Sequence, residues 1–370
     1  MATPSRFQRF LLPGLAFKAV VIGGGYATGR ELAEFFLPGG PWGGLAAILL
    51  ATLIFCLVSS VTFLFARRAR TYDYRSFFKD LLGPGWIAFE AAYLLFVILI
   101  LAVYGAAAGA IFEAVFGVPT MVGTLALMAG IALFVMYGNA SVERLFVYVS
   151  YLLYGVYALF VLLVFTAFGD DIAAGLSLDE PASGWALNGL TYAGYNIIGA
   201  VVILPVVRHM TSDRDAVIAG VVAGPLAMIP ALLFFLCMLA FYPGIAAATL
   251  PSDVMLQRLD SPVFHLLFQL MILSALLESG TGAVHAINER ISAAWRARRG
   301  IELSNRARFA IALALLVGCM LLAGRFGLVA LIASGYRALA YILLAVYVLP
   351  LLTYGVWRLR NRPSMTPEAA

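Results

Sequence analysis

Long apolar segments alternate with short polar stretches along the whole chain. A helix that crosses the roughly 30 Å hydrocarbon core of a bilayer needs about 20 apolar residues, and a window of about 19 residues finds about ten such segments. They are residues 11–37 (interrupted), 42–66, 86–116, 121–137, 142–168, 185–207, 216–242, 263–291, 309–322 and 328–357. This pattern predicts an all-α integral membrane protein with about ten transmembrane helices.

The composition supports the same class of protein. Of the 370 residues, 63% are hydrophobic and 12% are charged, and the mean hydropathy is +0.97. A soluble domain of that composition would lack the polar residues to cover its surface, so the lipid bilayer is the expected environment. The three cysteines are scattered through apolar segments, and we expect neither a disulfide framework nor a cysteine metal site.

The basic residues fall on one side of the membrane if the chain crosses it ten times. Arginine and lysine cluster before the first span and after the second, sixth, eighth and tenth spans, whereas the loops after the fifth and seventh spans are acidic. The positive-inside rule then places both termini in the cytoplasm. These basic loops explain the net charge of +5, and we expect no nucleic-acid partner.

The first span contains the strongest functional signal in the sequence, a run of three glycines: Gly23, Gly24 and Gly25. Each glycine lowers helix stability by roughly 1 kcal/mol, so this helix is expected to break. Unwound backbone is tolerated at membrane depth only where it is buried or lines a polar cavity, where its carbonyls can hold an ion or a small charged solute. Tyr104 in span three, beside a run of small residues, either borders that cavity or packs between helices.

The two halves of the chain match in outline. Residues 10–168 and 185–357 each contain five spans, with an interrupted first span and a long third one. Five spans per half make the second copy inverted, as in many secondary transporters. We therefore expect a single transmembrane domain over the whole chain, with a second break in span six near Tyr195, Asn196 and Gly199. A continuous helix with close packing of small residues is the alternative for that span.

Span eight carries a charged residue near its centre. Glu278 is followed by the hydroxyl groups of Ser279 and Thr281. A charge at that depth costs at least about 2.5–3.5 kcal/mol on insertion scales, so it should face a cavity or a partner. These groups either hold a coupling cation or exchange a proton, or else Glu278 forms a buried ion pair or stays protonated between helices.

Four other charged residues within the apolar spans are candidates for a gate or an ion pair. Arg30, Glu31 and Glu34 follow the glycines of span one, and Arg337 lies inside span ten. Arg30 and Glu34 are four residues apart, a spacing that favours an ion pair on one helix face. Arg337 could pair with Glu278, Glu31 or a substrate carboxylate, or extend to the outer surface. We interpret the four residues as candidates for a gate or an ion pair.

The sequence contains no enzyme signature. The motifs HExxH, GxSxG and GxxxxGKS/T are absent, and there is no cysteine–histidine metal cluster. We expect no enzymatic activity, no cofactor and no resident metal.

The stretch GGGYATGRELAEFF at residues 23–36 resembles the opening of the YkvI-like bacterial membrane proteins, which are relatives within the amino acid–polyamine–organocation superfamily. The number of spans and the long third and eighth spans agree with that family. The resemblance implies a leucine-transporter-type fold, with a 5+5 inverted repeat and broken helices 1 and 6. It also implies a location in the bacterial inner (cytoplasmic) membrane.

The resemblance further implies a midplane substrate site between spans one, three, six and eight. The residues expected there are Gly23, Gly24, Gly25, Tyr26, Tyr104, Tyr195, Asn196 and Gly199. In sodium-coupled relatives an ion lies between the first break and span eight. The matching groups here are the carbonyls of Ile22 and Gly25 and the hydroxyls of Ser279 and Thr281. Glu278 departs from that sodium pattern and leaves proton coupling open.

The leading hypothesis is a secondary active transporter, a Na⁺ or H⁺ symporter, for a small amino acid or a related zwitterion or organic cation. One alternative is an inorganic-cation transporter on the same fold, which the carboxylates Glu31 and Glu278 would favour. The first span is distantly similar to that of natural-resistance-associated metal transporters, but their Asp-Pro-Gly-Asn metal motif is absent from its break. A third hypothesis is a membrane sensor or assembly factor that transports nothing.

Overall fold

The computed structural model describes residues 4–137 and 139–361, with the backbone alone for residues 24–25, 137–151, 297–298 and 305. Within those ranges every regular element is a helix, which confirms the all-α fold class. The α-helices are α1 (Leu12–Val21), α2 (Gly24–Ala27), α3 (Arg30–Phe36), α4 (Gly40–Ala69), α5 (Tyr74–Leu82), α6 (Trp86–Phe116), α7 (Thr120–Tyr137), α8 (Asn139–Ala167), α9 (Gly169–Leu176), α10 (Trp185–Asn196), α11 (Gly199–Val202), α12 (Asp213–Leu239), α13 (Pro251–Arg258), α14 (Pro262–Arg299), α15 (Asn305–Ala330), α16 (Arg337–Leu343) and α17 (Val356–Asn361).

Five helical stretches in the described residues are long and apolar enough to cross a membrane, judged by length and composition alone. A sharply bent pair, Leu152–Ala167 with Gly169–Leu176, makes a sixth. The remaining predicted spans miss that test because of their shape. Spans one and six are broken, span four (α7) is short, and spans nine and ten run together as Arg306–Asn361 through a kink at Gly327. With these interruptions taken into account, the helices correspond to the ten predicted spans.

The first span is interrupted, as predicted, but not along all three glycines. Ile22 (φ −83°, ψ 74°) and Gly23 (φ −90°, ψ −179°) leave the helical conformation between α1 and α2. Gly24 and Gly25 belong to the single turn α2, which is closed by a 3.2 Å hydrogen bond from the Ala27 N–H to the Gly23 carbonyl. The extended backbone at this point is therefore confined to Ile22 and Gly23.

A second break in the same span lies at Gly29, where none was predicted. Gly29 has φ +78° between α2 and α3, and a Cβ atom there would lie 2.5 Å from the ring of Phe234. Left-handed backbone and the absence of room for a side chain both require glycine. The Thr28 carbonyl accepts a 3.0 Å hydrogen bond from the Ser252 N–H, so the segment that begins α13 covers this break.

Span six is also broken, which confirms the prediction for that helix. α10 ends at Asn196, residues 197–198 form a turn, and α11 follows for one turn. The span continues as a 3₁₀-helix, Leu204–His209, in which Pro205 lacks the N–H that an α-helix would use. Because α10 packs against α3, the two broken spans meet each other.

The two halves of the chain pack together through spans two and seven. α4 lies along α12, and small residues let the two backbones approach closely. A Cβ atom at Gly220 would lie 2.3 Å from the Ser60 backbone, and one at Gly224 would lie 2.5 Å from Cys56 Sγ. Such small-residue contacts are how helices associate closely in a membrane. Spans two and seven hold equivalent places in the two repeats, so their pairing fits the 5+5 arrangement.

Candidate functional site

A small cavity lies where the two broken spans meet α6 and span ten. The space between its lining atoms is about 340 Å³, of which about 20 Å³ admits the centre of a water molecule, room for roughly one water. Four residues predicted for the substrate site line it: Gly23, Tyr104, Tyr195 and Asn196. The structure therefore brings spans one, three and six together around one small space.

Glu31 also lines this cavity, although the sequence grouped it with the gate candidates. The residue is 5% exposed, and its Oε2 accepts a 2.6 Å hydrogen bond from the Tyr195 hydroxyl. Within the described part of the chain it takes part in no ion pair. Successive helical residues point about 100° apart, so Arg30 and Glu34 share a face that Glu31 does not. That rotation separates the cavity residue from its charged neighbours.

Several other lining residues were missed by the sequence reasoning. Tyr336 ends a π-helical segment, Leu331–Tyr336, and its ring stacks on Tyr195 with 4.4 Å between the centroids. Phe96 lines the opposite side with the aliphatic residues Val20, Val21, Ile100 and Ile198. Apolar and aromatic residues in an apolar span carry no signal that separates cavity lining from ordinary packing.

Three of the predicted site residues lie beside the cavity rather than in its lining. Tyr26 is fully buried, with its ring 6.4 Å from that of Tyr157. Gly199 faces Phe17, whose ring a Cβ atom would meet at 3.1 Å. Ile22 lines a separate pocket with residues of α1, α8 and α12. None of the three is part of the lining of the small cavity in this conformation.

On the side predicted to face outward, Arg30 ties three parts of the chain together. Its Nη2 lies 2.6 Å from Glu34 Oε2, the i,i+4 ion pair that the sequence predicted. Its Nη1 donates hydrogen bonds of 2.9 Å to the carbonyls of Ala246 and Ala248 in the loop before α13. The guanidinium therefore holds this loop against α3, above the cavity.

Arg337 joins the same network from span ten. Its Nη2 lies 3.9 Å from Glu34 Oε1, and its side chain is 43% exposed. The partner is thus Glu34, and not Glu278 or Glu31 as the sequence left open. We call Arg30, Glu34 and Arg337 the outer network.

On the side predicted to be cytoplasmic, Arg9 holds the start of the chain against α12. Its guanidinium donates hydrogen bonds of 2.8 and 2.7 Å to the Asp215 carboxylate, which also accepts from Thr211 and Ser212. Burial opposes ionisation of Asp215, but these hydrogen bonds outweigh it and hold the pKa of the carboxyl well below its usual range. The Arg9–Asp215 pair is therefore charged at physiological pH.

The residues predicted for coupling lie on α14, which packs against α2. Ser279 lies beside the Tyr104 hydroxyl. Thr281 is 3% exposed and donates a 2.7 Å hydrogen bond to the Leu277 carbonyl, which leaves its oxygen able to accept. Glu278 is half-buried and has no ion-pair partner among the described residues. Span eight thus places Ser279 beside Tyr104, whose hydroxyl lies 3.0 Å from the position of a Cβ atom at Gly23 in the first break.

The fold is that of the leucine-transporter-type membrane transporters. A manganese transporter from Eremococcus coleocola superimposes with a TM-score of 0.60 at 14% identity, over 96% of this chain and 81% of that one. MhsT, solved in complex with L-phenylalanine, superimposes with a TM-score of 0.53 at 19% identity, over 95% of this chain and 89% of that one. At these identities the likeness establishes the fold.

The chain is also a homologue of the uncharacterized membrane protein YkvI of Bacillus subtilis (strain 168). The two are 26% identical over 284 residues, which cover 75% of this chain and 80% of YkvI. This similarity confirms the resemblance drawn from the motif at residues 23–36, and it supports a multi-pass membrane protein. No family model matches the chain.

Proposed function

We propose that the protein is a secondary active transporter for a small amino acid or a related organic cation, driven by Na⁺ or H⁺. The observation that carries this proposal is the small cavity at two broken helices, with the buried carboxylate of Glu31 in its wall. Broken membrane helices are where many secondary transporters bind substrate and coupling ions. The likeness to MhsT, which holds L-phenylalanine in its solved structure, supports an organic substrate.

Two ion-pair networks supply the gates that alternating access needs. The outer network joins Arg30, Glu34 and Arg337, and the inner gate is the pair of Arg9 and Asp215. Both networks are formed in this conformation. The outer network would open to admit the substrate, and the inner pair would open to release it, as one group of helices rocks against the other.

Coupling is assigned to the contact between α14 and the first break. The carbonyl of Ile22 in the unwound backbone and the carbonyl of Gly25 in α2, with the hydroxyls of Ser279 and Thr281, would coordinate Na⁺, as backbone carbonyls at broken helices do in other transporters. Glu278 lies on the same helix and would carry the proton if H⁺ drives transport. A cation at this point would hold α2 and α14 together while the outer side is open.

An inorganic-cation transporter is the second candidate, favoured by the likeness to the manganese transporter and by the carboxylate in the cavity. In residues 4–137 and 139–361, no three side chains of the types His, Cys, Asp and Glu are grouped to hold a metal ion. A divalent cation would therefore depend on Glu31 together with carbonyl and hydroxyl oxygens.

Thermal unfolding of the purified full-length protein, followed by flux in proteoliposomes, tests the proposal. Amino acids, amines and divalent metals are screened with and without Na⁺ at two pH values, because a ligand at a hundred times its Kd adds about 2.7 kcal/mol of stability. Uptake of an organic ligand driven by a Na⁺ or pH gradient is the expected result. Uptake of metals alone would support the second candidate, and binding without flux would support a sensor or assembly factor.

Coupling is tested with two variants of α14. If H⁺ is the coupling ion, Glu278→Gln should abolish the dependence of uptake on the pH gradient. If Na⁺ is the coupling ion, Thr281→Val should abolish the dependence of uptake on the Na⁺ gradient. Glu113→Gln, an exposed carboxylate near the end of α6, is the matched control. If both α14 variants keep the gradient dependence of the unchanged protein, the assigned coupling site is wrong.

A further inference from the structure

The described lining of the cavity carries a single charged residue. Glu31 is that residue, and the lining includes no lysine, arginine or histidine. A buried carboxylate is costly unless a cation or several hydrogen bonds compensate it. The Tyr195 hydroxyl binds one of its two oxygens. The other oxygen is available to a positively charged group inside the cavity.

Aromatic rings surround this carboxylate. Tyr104, Tyr195, Tyr336 and Phe96 all line the cavity, together with the amide of Asn196. Ring faces attract ammonium groups and other organic cations within about 6 Å of their centroids. The tyrosine hydroxyls and the amide oxygen can also accept hydrogen bonds from an ammonium group. Such a lining suits an alkylammonium ion, which has both N–H donors and an apolar body.

A carboxylate on the ligand would find no basic side chain in the same space. Arg30 is committed to Glu34 and to two loop carbonyls, and Arg337 lies outside the cavity with 43% of its side chain exposed. Burying an unpaired carboxylate costs several kcal/mol, far more than burying the hydrogen that replaces it in an amine. The hydroxyls of Tyr104 and Tyr336 and the backbone N–H groups of α2 are uncharged donors left to a carboxylate, and the ligand comparison below decides that case.

We infer that the transported solute is a small organic amine, bound as a cation with its ammonium group at Glu31 beside the tyrosine side chains that line the cavity. This inference rests on the proposed function and narrows its substrate class from amino acids and organic cations to the cations. The space open to the centre of a water molecule is about 20 Å³, so any body larger than the ammonium group requires Tyr104 or Tyr336 to move. The solute should therefore be small.

The test compares ligands that differ only in the carboxyl group. Ethylamine, isobutylamine and phenethylamine are titrated into the purified full-length protein beside L-alanine, L-valine and L-phenylalanine, from which they derive by loss of the carboxyl group. Propionate, isovalerate and 3-phenylpropionate complete the sets. At least one amine should bind at least about tenfold more tightly than its amino acid, since the unpaired carboxylate costs more than about 1.4 kcal/mol. Equal or tighter binding of the amino acids, or no binding by any amine, would overturn the inference.

Variants assign the binding to Glu31. Glu31→Gln should weaken amine binding by at least about 30-fold, Glu31→Asp should restore part of it, and Glu113→Gln should bind as the unchanged protein does. If Glu31→Gln does not fold, Tyr336→Leu and Tyr336→Phe replace it, because only the first removes the aromatic face. Unchanged amine affinity in Glu31→Gln, or in Tyr336→Leu, would also overturn the inference.

Proteoliposome uptake separates this inference from the proposed function. An amine that binds through Glu31 but is not taken up leaves the ligand assignment standing and contradicts the transporter. Gradient-driven uptake of an amino acid, with no preference for the matching amine, leaves the transporter standing and contradicts the ligand class.

Discussion

The Tyr195 hydroxyl donates a 2.6 Å hydrogen bond to Glu31 Oε2, and this bond joins the two broken spans across the cavity. Tyr195 is the penultimate residue of α10, just before the break in span six, and Glu31 is the second residue of α3 in span one. Both residues are buried. The carboxylate of one broken span is therefore held in place by a hydroxyl of the other.

We expect Tyr195→Phe to destabilise the protein, because the Glu31 carboxylate would lose the hydrogen bond that it accepts from the Tyr195 hydroxyl. A hydrogen bond to a charged group contributes roughly 1.5–3 kcal/mol, and the free energy of unfolding in mixed detergent should fall by about that amount. Tyr341→Phe, which removes an equivalent hydroxyl from a residue that is 46% exposed, is the control and should change little. Equal losses in the two variants would show that the bond to Glu31 contributes nothing specific.

The outer network should control access to the cavity from outside. Glu34→Gln removes the ion-pair partner of Arg30 and of Arg337, and the loss of one partner of a buried pair costs about 3–5 kcal/mol. With Ile100→Cys as a reporter in the cavity wall, and the native cysteines replaced, a membrane-impermeant thiol reagent should label the variant at least about tenfold faster.

The matched control for that experiment is Glu302→Gln. Glu302 forms an exposed ion pair with Arg296, 3.0 Å between Nη2 and Oε1, far from the outer network in sequence. Exposed pairs contribute about 0–1 kcal/mol, so labelling at Ile100→Cys should stay as it is in the unchanged protein. Slower or unaltered labelling in Glu34→Gln would mean that Arg30 closes the cavity through the loop carbonyls alone.

Gly29 offers a test of the second break in span one. Gly29→Ala should lower the melting temperature through two effects, strain of about 1–2 kcal/mol at φ +78° and overpacking of about 1–3 kcal/mol against Phe234. Gly117→Ala shares the positive φ but meets nothing within 4 Å, and it should show the strain alone. Equal melting temperatures for the two variants would mean that Phe234 on α12 shifts to make room for the added methyl group at no cost in stability.

Some of these features could be predicted from sequence because they depend on local chemistry. Span length, basic loops and runs of glycine are visible in the residues themselves, and they led to the ten spans and the two broken helices. The position of each break depends on packing instead. Gly24 and Gly25 close a helical turn, whereas Gly29 is left-handed and lies where Phe234 of a distant helix leaves no room for a side chain. No pattern within span one indicates that contact.

The site residues were harder to predict because the rotation of each helix is set by its neighbours. Arg30, Glu31 and Glu34 are all charged and adjacent in sequence, yet only Glu31 faces the cavity. A helical projection of the three would have separated them. Tyr336 could not have been found in this way, because its π-helical segment has a different period from the α-helix. The partner of Arg337 depended on the packing of span ten against α3, which its sequence does not specify.

The free energy that the Arg9–Asp215 ion pair contributes to folding should stay constant over the physiological pH range and decrease only in acid. The pKa of Asp215 is held well below its usual value despite burial, by hydrogen bonds from Arg9, Ser212 and Thr211. A carboxyl with a lowered folded-state pKa stabilises the protein at every pH above its unfolded pKa of about 3.9, and the effect disappears as pH falls through the folded value. The contribution should thus be constant from about pH 8 to pH 5 and should decline only below about pH 4.

A double-mutant cycle of Arg9→Gln and Asp215→Asn, followed by thermal unfolding across that range, measures the contribution directly. Each single variant should melt a few degrees below the unchanged protein at pH 7, and the double variant should melt close to the Asp215→Asn single variant, because the two substitutions remove one interaction. Asp80→Asn is the control, since it breaks a different ion pair, between Asp80 Oδ1 and Arg358 Nη2 (2.7 Å), and leaves Arg9 and Asp215 unchanged. An interaction energy between Arg9 and Asp215 that already decreases between pH 7 and pH 5 would contradict the lowered pKa of Asp215. It would also mean that a different group on the cytoplasmic side titrates with the gate.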